Sequence, residues 1–263
     1  MKKYAIREIS EMTGVKPVTL RAWQRRYSLI EPERTPKGHR LYTQKHIDLI
    51  DKIQGWLNKG VSIGKVKALI EAGNSESINM IDNDTQLEDV ESVLDALANL
   101  NKGQAETLIN AVVKEYPLKV VDSQFIQPIL KALFPVRQCL RTLQSGLFHS
   151  LMLNKLNSVI ESENKATRSG KALVISILGN TDIGSRLMAL SLVGKGYNIT
   201  MLDEVDDLSG LVIHPAVEEF SLISIYSARA ISESQLAALN QLEATFSGQI
   251  MVSELLQQLR CEQ

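Results

Sequence analysis

Arg21, Arg25 and Arg26 fall within one short stretch, and Arg34, Lys37, His39 and Arg40 follow closely behind. A guanidinium group carries a permanent charge and a planar fork of donors. It can clamp a phosphate or pair with O6 and N7 of guanine. A four-residue spacing puts Arg21 and Arg25 on one face of a helix, with Thr19 and Arg26 beside them and Lys16 just ahead. Pro36-Lys37-Gly38 has turn chemistry, so Arg34, His39 and Arg40 flank the tip of a hairpin. A basic helix face alone is equally well explained as a solvated surface. A second basic element beside it points to a phosphate backbone.

The surrounding residues supply elements that would hold these groups. Thr13-Gly14 makes a turn, and Pro17 suits the first position of a helix, where its missing N–H is no loss. Leu20, Trp23 and Tyr27 recur at helical spacing, which predicts that they face a first helix through Ile6, Ile9 and Met12. Thr43 is placed to cap a further helix with Ile47, Ile50, Ile53 and Leu57 inward. Gly60 ends it, and Ser62 caps another carrying Ile63, Val66, Leu69 and Ile70. Trp56 and His46 read as packing or surface residues. The layout is a winged helix-turn-helix, in which one helix and one hairpin both reach DNA.

Charge is distributed to match. Residues 1–73 hold 15 Lys+Arg and 7 Asp+Glu, whereas the other residues hold 14 and 23. The net charge of −1 therefore hides a basic head on an acidic body. The length of 263 residues suits two or three domains. No run is long and apolar enough to span a bilayer, and Met1-Lys2-Lys3 is not followed by a secretory core, so a cytoplasmic protein is expected. Cys139 and Cys261 are far apart and lack metal-ligand spacing, which predicts free thiols. His39, His46, His149 and His214 form no paired motif. No metal site is expected.

Residues 4–73 resemble the DNA-binding domain of the MerR-type transcriptional regulators. The resemblance rests on Tyr4-Ala5-Ile6-Arg7-Glu8-Ile9, Thr19-Leu20-Arg21, Pro32-Glu33-Arg34 and Gly38-His39-Arg40-Leu41-Tyr42. It continues in Asn58-Lys59-Gly60-Val61-Ser62-Ile63 and Lys65-Val66-Lys67. Trp23-Gln24-Arg25-Arg26-Tyr27 is similar to one branch of that family, which holds both cobalamin-dependent light sensors and biofilm activators. The resemblance implies DNA contacts from Lys16, Thr19, Arg21, Arg25, Arg26, Arg34, Lys37, His39, Arg40 and Tyr42, and a homodimer on a palindromic operator.

Beyond the head, polar and aperiodic residues 74–85 read as a linker. Helical periodicity returns over 86–165. Its stripes are Leu87, Val90, Leu94 and Leu97; then Leu108, Ile109, Val112 and Val113; then Phe125, Ile129 and Leu133. A long helix from about Val136 to Ile160 carries Leu140, Leu143, Leu147, Leu151 and Leu156. This predicts a four-helix bundle. Over 170–263, apolar runs at 171–178, 199–202, 222–226 and 249–252 alternate with helical segments. That alternation predicts a doubly wound α/β domain of flavodoxin-like type.

Two sharper readings of this last domain are weak. Gly179 and Gly184 follow the first strand, and Asp203-Glu204 comes about 20 residues later, as in dinucleotide sites. The middle glycine is missing, and no catalytic acid, base or nucleophile set accompanies the turn. An enzyme is not expected. The cobalamin-dependent relatives supply a histidine from an Asp-x-His-x-x-Gly loop, and with its glycine on Gly184 the other two positions hold Gly179 and Thr181. They also place a tryptophan and a Glu-His pair on the bundle. Here Trp23 and Trp56 both lie in the head, and no Glu-His dipeptide occurs. The fold of a cobalamin-binding domain is expected without the cofactor.

These residues predict a MerR-type regulator that binds double-stranded promoter or operator DNA. Its body would be a sensor or docking platform, with RNA polymerase or a signalling protein as a further candidate partner. A light-responsive cobalamin repressor is the competing class, and a nucleotide-binding enzyme with a DNA-tethering head is another.

Overall fold

A computed structural model describes residues 2–36, 38–71, 86–165, 167, 169–177 and 183–261. The chain divides into two compact units, Met1–Leu151 and Met152–Gln263. The linker expected at 74–85, Lys37, and the Gly179–Thr181 positions lie outside the described residues. Among the described residues, no helix is long and apolar enough to cross a membrane.

The first unit opens with strand β1 (Tyr4–Ala5) and helix α1 (Ile6–Thr13). Gly14 stops α1 at φ 70°, a left-handed conformation that suits a residue without a Cβ. Helix α2 (Pro17–Tyr27) begins at Pro17 as the sequence predicts. Strands β2 (Glu33–Arg34) and β3 (Arg40–Tyr42) form a hairpin, and β1 completes an antiparallel sheet in the order β1-β3-β2. Helix α3 (Gln44–Asn58) is capped by Thr43, whose backbone N–H donates to His46 Nδ1 at 2.9 Å. Helix α4 (Ile63–Glu71) follows Gly60. Ile9, Val15, Leu20, Trp23, Ile50, Ile53 and Leu57 form the buried centre. Met12 is a correction: it is 53% exposed, because the inward face of the eight-residue α1 is spent on Ile9.

The same unit continues through α5 (Asp89–Ala98), α6 (Lys102–Glu115) and α7 (Leu118–Val121). A π-helical turn (Asp122–Ile126) leads into α8 (Gln127–Leu133) and the long α9 (Gln138–Asn164), whose residues up to Leu151 belong to this unit and whose remainder belongs to the second. Asn101 caps α6 by accepting from the Gln104 N–H. Leu87, Val90, Leu97, Ile109, Val112, Val113, Phe125, Ile129 and Leu133 are buried as predicted. Leu94 is half-buried, and Val93 and Ala96 take the inward face of α5 instead. In α9, Leu151 and Leu156 are buried, but Leu140 and Leu143 are exposed. The stripe is continuous in sequence, yet only its later part meets a packed surface.

These helices pack on the head through polar groups as well as apolar ones. Trp23 Nε1 donates to the Glu115 carbonyl at 2.7 Å. Ile63 N–H donates to Tyr116 Oη at 3.3 Å, and Gln124 Nε2 to the Leu57 carbonyl at 2.8 Å. Burial pushes the Tyr116 phenol up to about 12.

The second unit holds β4 (Lys171–Ile177), α10 (Ile183–Gly194), β5 (Asn198–Val205) and α11 (Ser209–Ile213). A 3₁₀ turn (Pro215–Glu219), β6 (Leu222–Tyr226), α12 (Glu233–Thr245), β7 (Gln249–Val252) and α13 (Glu254–Cys261) complete it. All strand pairs are parallel, in the order β5-β4-β6-β7. Leu173, Ile175, Ile177, Ile223 and Ile225 line one face against Leu211, Leu239, Leu242 and Leu256. Alternation sends Ala172, Val174 and Ser176 to the other face. The five-residue α11 and the 3₁₀ turn carry no usable period, so the sequence gives no sign of them. Arg186 on α10 is buried and forks onto both oxygens of Asp203, at 2.5 and 2.6 Å. Its Nε donates to Asn157 Oδ1 at 3.1 Å.

Two stability outcomes follow from this packing. Trp23→Ala should lower the free energy of unfolding of the first unit by about 3–5 kcal/mol, because it removes a fully buried aromatic ring. Denaturant melts monitored by circular dichroism measure this, and a wild-type midpoint would show that Trp23 does not support the core. Asp203→Ala should cost about 3 kcal/mol, the low end for breaking a buried pair, since its side chain is 32% exposed. The Arg186→Met, Asp203→Leu double variant should recover most of that loss. A double variant no more stable than Asp203→Ala would show that the ion pair is not what is lost.

Candidate nucleic-acid interface

The arginines singled out from the sequence come from three elements, and the structure brings four of them together. Arg21 and Arg25 are exposed on α2, one turn apart. Arg34 lies on β2 and Arg40 on β3, and they are direct partners in the antiparallel ladder. Arg40 Nε donates to Gln24 Oε1 on α2 at 2.7 Å, which ties hairpin to helix. Burial lowers the Arg40 pKa from its usual value, the charge of Arg34 lowers it further, and Arg21 and Arg25 add to the effect. Like charges directly opposite in a sheet are destabilising. A cationic cluster that repels itself in the isolated protein is relieved by an anion.

The hairpin tip is shaped by its own backbone. Thr35 N–H donates to the His39 carbonyl, and Gly38 N–H to the Thr35 carbonyl, both at 2.8 Å. Gly38 has φ 82°, which glycine tolerates best. His39 is exposed beside it, and its N–H donates to Thr35 Oγ1. Lys16 is the residue before α2 and is half-buried.

Three expected positions differ from the others. Thr19 and Tyr42 are each only 1% exposed, so they underlie the surface and do not form it. The Tyr42 ring packs edge-on to His46 at 5.8 Å. Its hydroxyl has no hydrogen-bond partner among the described residues, and burial raises its pKa against the pull of Arg40 and Arg21. Arg26 is exposed but turned away from Arg21 and Arg25, in an ion pair with Glu115 at the end of α6. The helical phase explains this: 23, 26 and 27 share the face opposite to 21 and 25.

Gln24 and Glu115 are the residues that sequence reasoning missed. Gln24 lies inside a recognised motif but carries no charge, so the arginines drew attention from it. Glu115 ends an amphipathic helix, where an acidic residue ordinarily faces water.

Residues 4–73 match the MerR HTH family regulatory protein family. The chain is 33% identical to the HTH-type transcriptional regulator MlrA of Salmonella typhimurium over 176 residues, covering 66% of this chain and 69% of that protein. It is 33% identical to MlrA of Escherichia coli over 179 residues, with the same two shares. It is 33% identical to the HTH-type transcriptional repressor CarH of Myxococcus xanthus over 69 residues, covering 26% of this chain and 23% of that protein. A basic head built on this pattern, and a similarity that runs well beyond it, place the chain in the MerR family of helix-turn-helix transcriptional regulators.

Proposed function

We propose that the chain binds double-stranded operator DNA as a homodimer, with α2 in the major groove and the β2–β3 hairpin as a wing on the backbone. The observation that carries this reading is the gathering of Arg21, Arg25, Arg34 and Arg40 on one surface, with Arg34 and Arg40 held opposite each other. In this reading Arg21 and Arg25 read base edges, and Arg34, His39 and Arg40 meet phosphates; Lys37 is given the same role on its charge and its sequence position alone. Lys16 adds charge at the start of α2. Thr19 and Tyr42 support the helix and the wing from behind. A two-fold dimer would present two recognition helices to half-sites of a palindrome.

The body is a sensor or docking platform that does not use histidine-ligated cobalamin. Strand order β5-β4-β6-β7 matches the first four strands of the flavodoxin-like arrangement, whose ligand crevice lies at the carboxyl ends of the two strands where the winding reverses. Those strands are β4 and β6. At the end of β6, the Tyr226 hydroxyl occupies the space that a Cβ on Gly184, near the start of α10, would need. The two histidines of the body stand elsewhere: His214 Nδ1 accepts from Ala216 N–H, which occupies that lone pair, and His149, which donates through Nδ1 to the Ser145 carbonyl, lies within helix α9 and not on a loop after a strand. An axial ligand needs a free imidazole lone pair at a fixed loop position, braced by a carboxylate. Thr181 cannot supply one, and Gly179 cannot brace it.

The DNA assignment is tested with Arg21→Ala, Arg25→Ala and Arg40→Ala on an operator located by footprinting genomic fragments. A base-reading arginine should cost about 1–3 kcal/mol and relax specificity at one position. A phosphate-contacting arginine should weaken all sequences alike and flatten the salt slope by about 0.9. Unchanged operator affinity in all three variants would remove the assignment. For the body, isothermal titration with adenosylcobalamin should give no stoichiometric binding, and operator affinity should be equal in the dark and after illumination. Tight binding with a light-dependent loss of affinity would favour a photoreceptor instead.

A further inference from the structure

We propose that Glu115 is a positioning residue for DNA recognition, through which the helical body fixes the rotation of α2 and with it the discrimination between operator and random DNA. The proposal rests on reading α2 as the DNA-facing helix.

One residue grips three side chains of α2. The Glu115 carbonyl accepts from Trp23 Nε1, Oε2 accepts from the Tyr27 hydroxyl at 2.5 Å, and Oε1 pairs with Arg26. Positions 23, 26 and 27 are spaced i, i+3 and i+4, a single face of the helix. The Glu115 side chain is 9% exposed, whereas that of Arg26 is 50% exposed. A carboxylate so buried needs its partners, and charge-assisted bonds are among the stronger ones available.

Glu115 is itself held in place. Next to it, Tyr116 accepts from the Ile63 N–H at the start of α4. In the π-helical turn, the Gln124 amide donates to the Leu57 carbonyl, and its backbone carbonyl accepts from Leu87 N–H at 2.9 Å. Lys65 on α4 pairs with Glu88 just before α5. The end of α6 is thus tied to the part of the head that lies behind α2. On another side of the helix, Gln24 accepts from Arg40.

Helix rotation is the coordinate that these contacts restrain. At a side-chain radius of about 5–6 Å, a turn of α2 by roughly 20° swings an outward guanidinium by about 2 Å. A phosphate contact tolerates that shift, because it is long-ranged and the backbone offers many oxygens. A bidentate contact to a base edge does not. Glu115 therefore acts on the ratio of operator to random affinity, with little effect on random affinity. Arg26 acts through Glu115 and contributes no phosphate contact.

The test measures operator and random-sequence DNA affinity against salt for the full chain and for Glu115→Gln, Arg26→Gln, Arg26→Lys and the Glu115→Gln, Arg26→Gln double variant. Glu115→Gln and Arg26→Gln should each lower the ratio at least about fivefold, the lower end of what one bidentate base contact contributes. Random affinity and its salt slope should stay as in wild type. The double variant should lose no more than either single one, and Arg26→Lys should restore most of the ratio. A purely structural role would reduce both affinities together with the folded fraction and leave the ratio intact. Arg26→Gln changes an exposed side chain, so it remains informative if Glu115→Gln folds poorly. A wild-type ratio in both single variants, or a slope flattened by about one in Arg26→Gln, overturns the proposal. Absence of salt-dependent binding by the wild-type chain would instead overturn the DNA assignment itself.

Discussion

A carboxylate taken out of water has to be paired, and the pairing of Glu115 organises the first unit of this protein. Burying that charge alone would cost several kcal/mol. Its partners are a cation and a hydroxyl from the helix that carries the exposed arginines. The stabilising contact and the functional element are therefore the same piece of chain. An apolar interface of similar size would hold the helix against the body and leave it freer to turn. The directional bonds from Trp23 and Tyr27, with the ion pair to Arg26, restrict rotation as well as separation.

Electrostatics divides α2 into two environments. Arg26, on the face toward α6, is neutralised by Glu115, and Arg21 and Arg25 stand with Arg34 and Arg40 in a field of one sign. Such a surface is under repulsion until a polyanion arrives. Gln24 links the two basic elements without adding charge, a useful choice where a further cation would raise that repulsion and a carboxylate would cancel the field.

Much of the head was legible because its signals are local. Pro17 opens α2, Gly14 and Gly60 close turns at positive φ, and Thr43 caps α3 within a few residues of where each acts. The alternating apolar runs gave the four parallel strands for the same reason. The failures share a cause too. Periodicity shows that a helix has an apolar face but not whether that face finds a surface, so Met12, Leu140 and Leu143 were expected inside and lie outside. Thr19 lies one helical turn before Trp23 and so shares its inward face; the motif placed it among the contacts, and the packing places it beneath them. Glu115 and Gln124 could not be read at all, since their partners are distant in sequence and nothing local marks an acid or an amide as interior.

That distance has a kinetic side. The indole of Trp23 waits for an acceptor 92 residues further along the chain. At about 5–20 residues per second, a ribosome delivers it roughly 5–20 s after the helix itself has been made. During that interval the nascent head carries a large aromatic ring with one face unfinished and a basic surface already complete. The growing chain can meet nucleic acid or a chaperone before α2 is locked. Premature termination between the head and α6 would release a polypeptide with the basic surface of the finished protein but without the acidic body that offsets it or the brace behind α2.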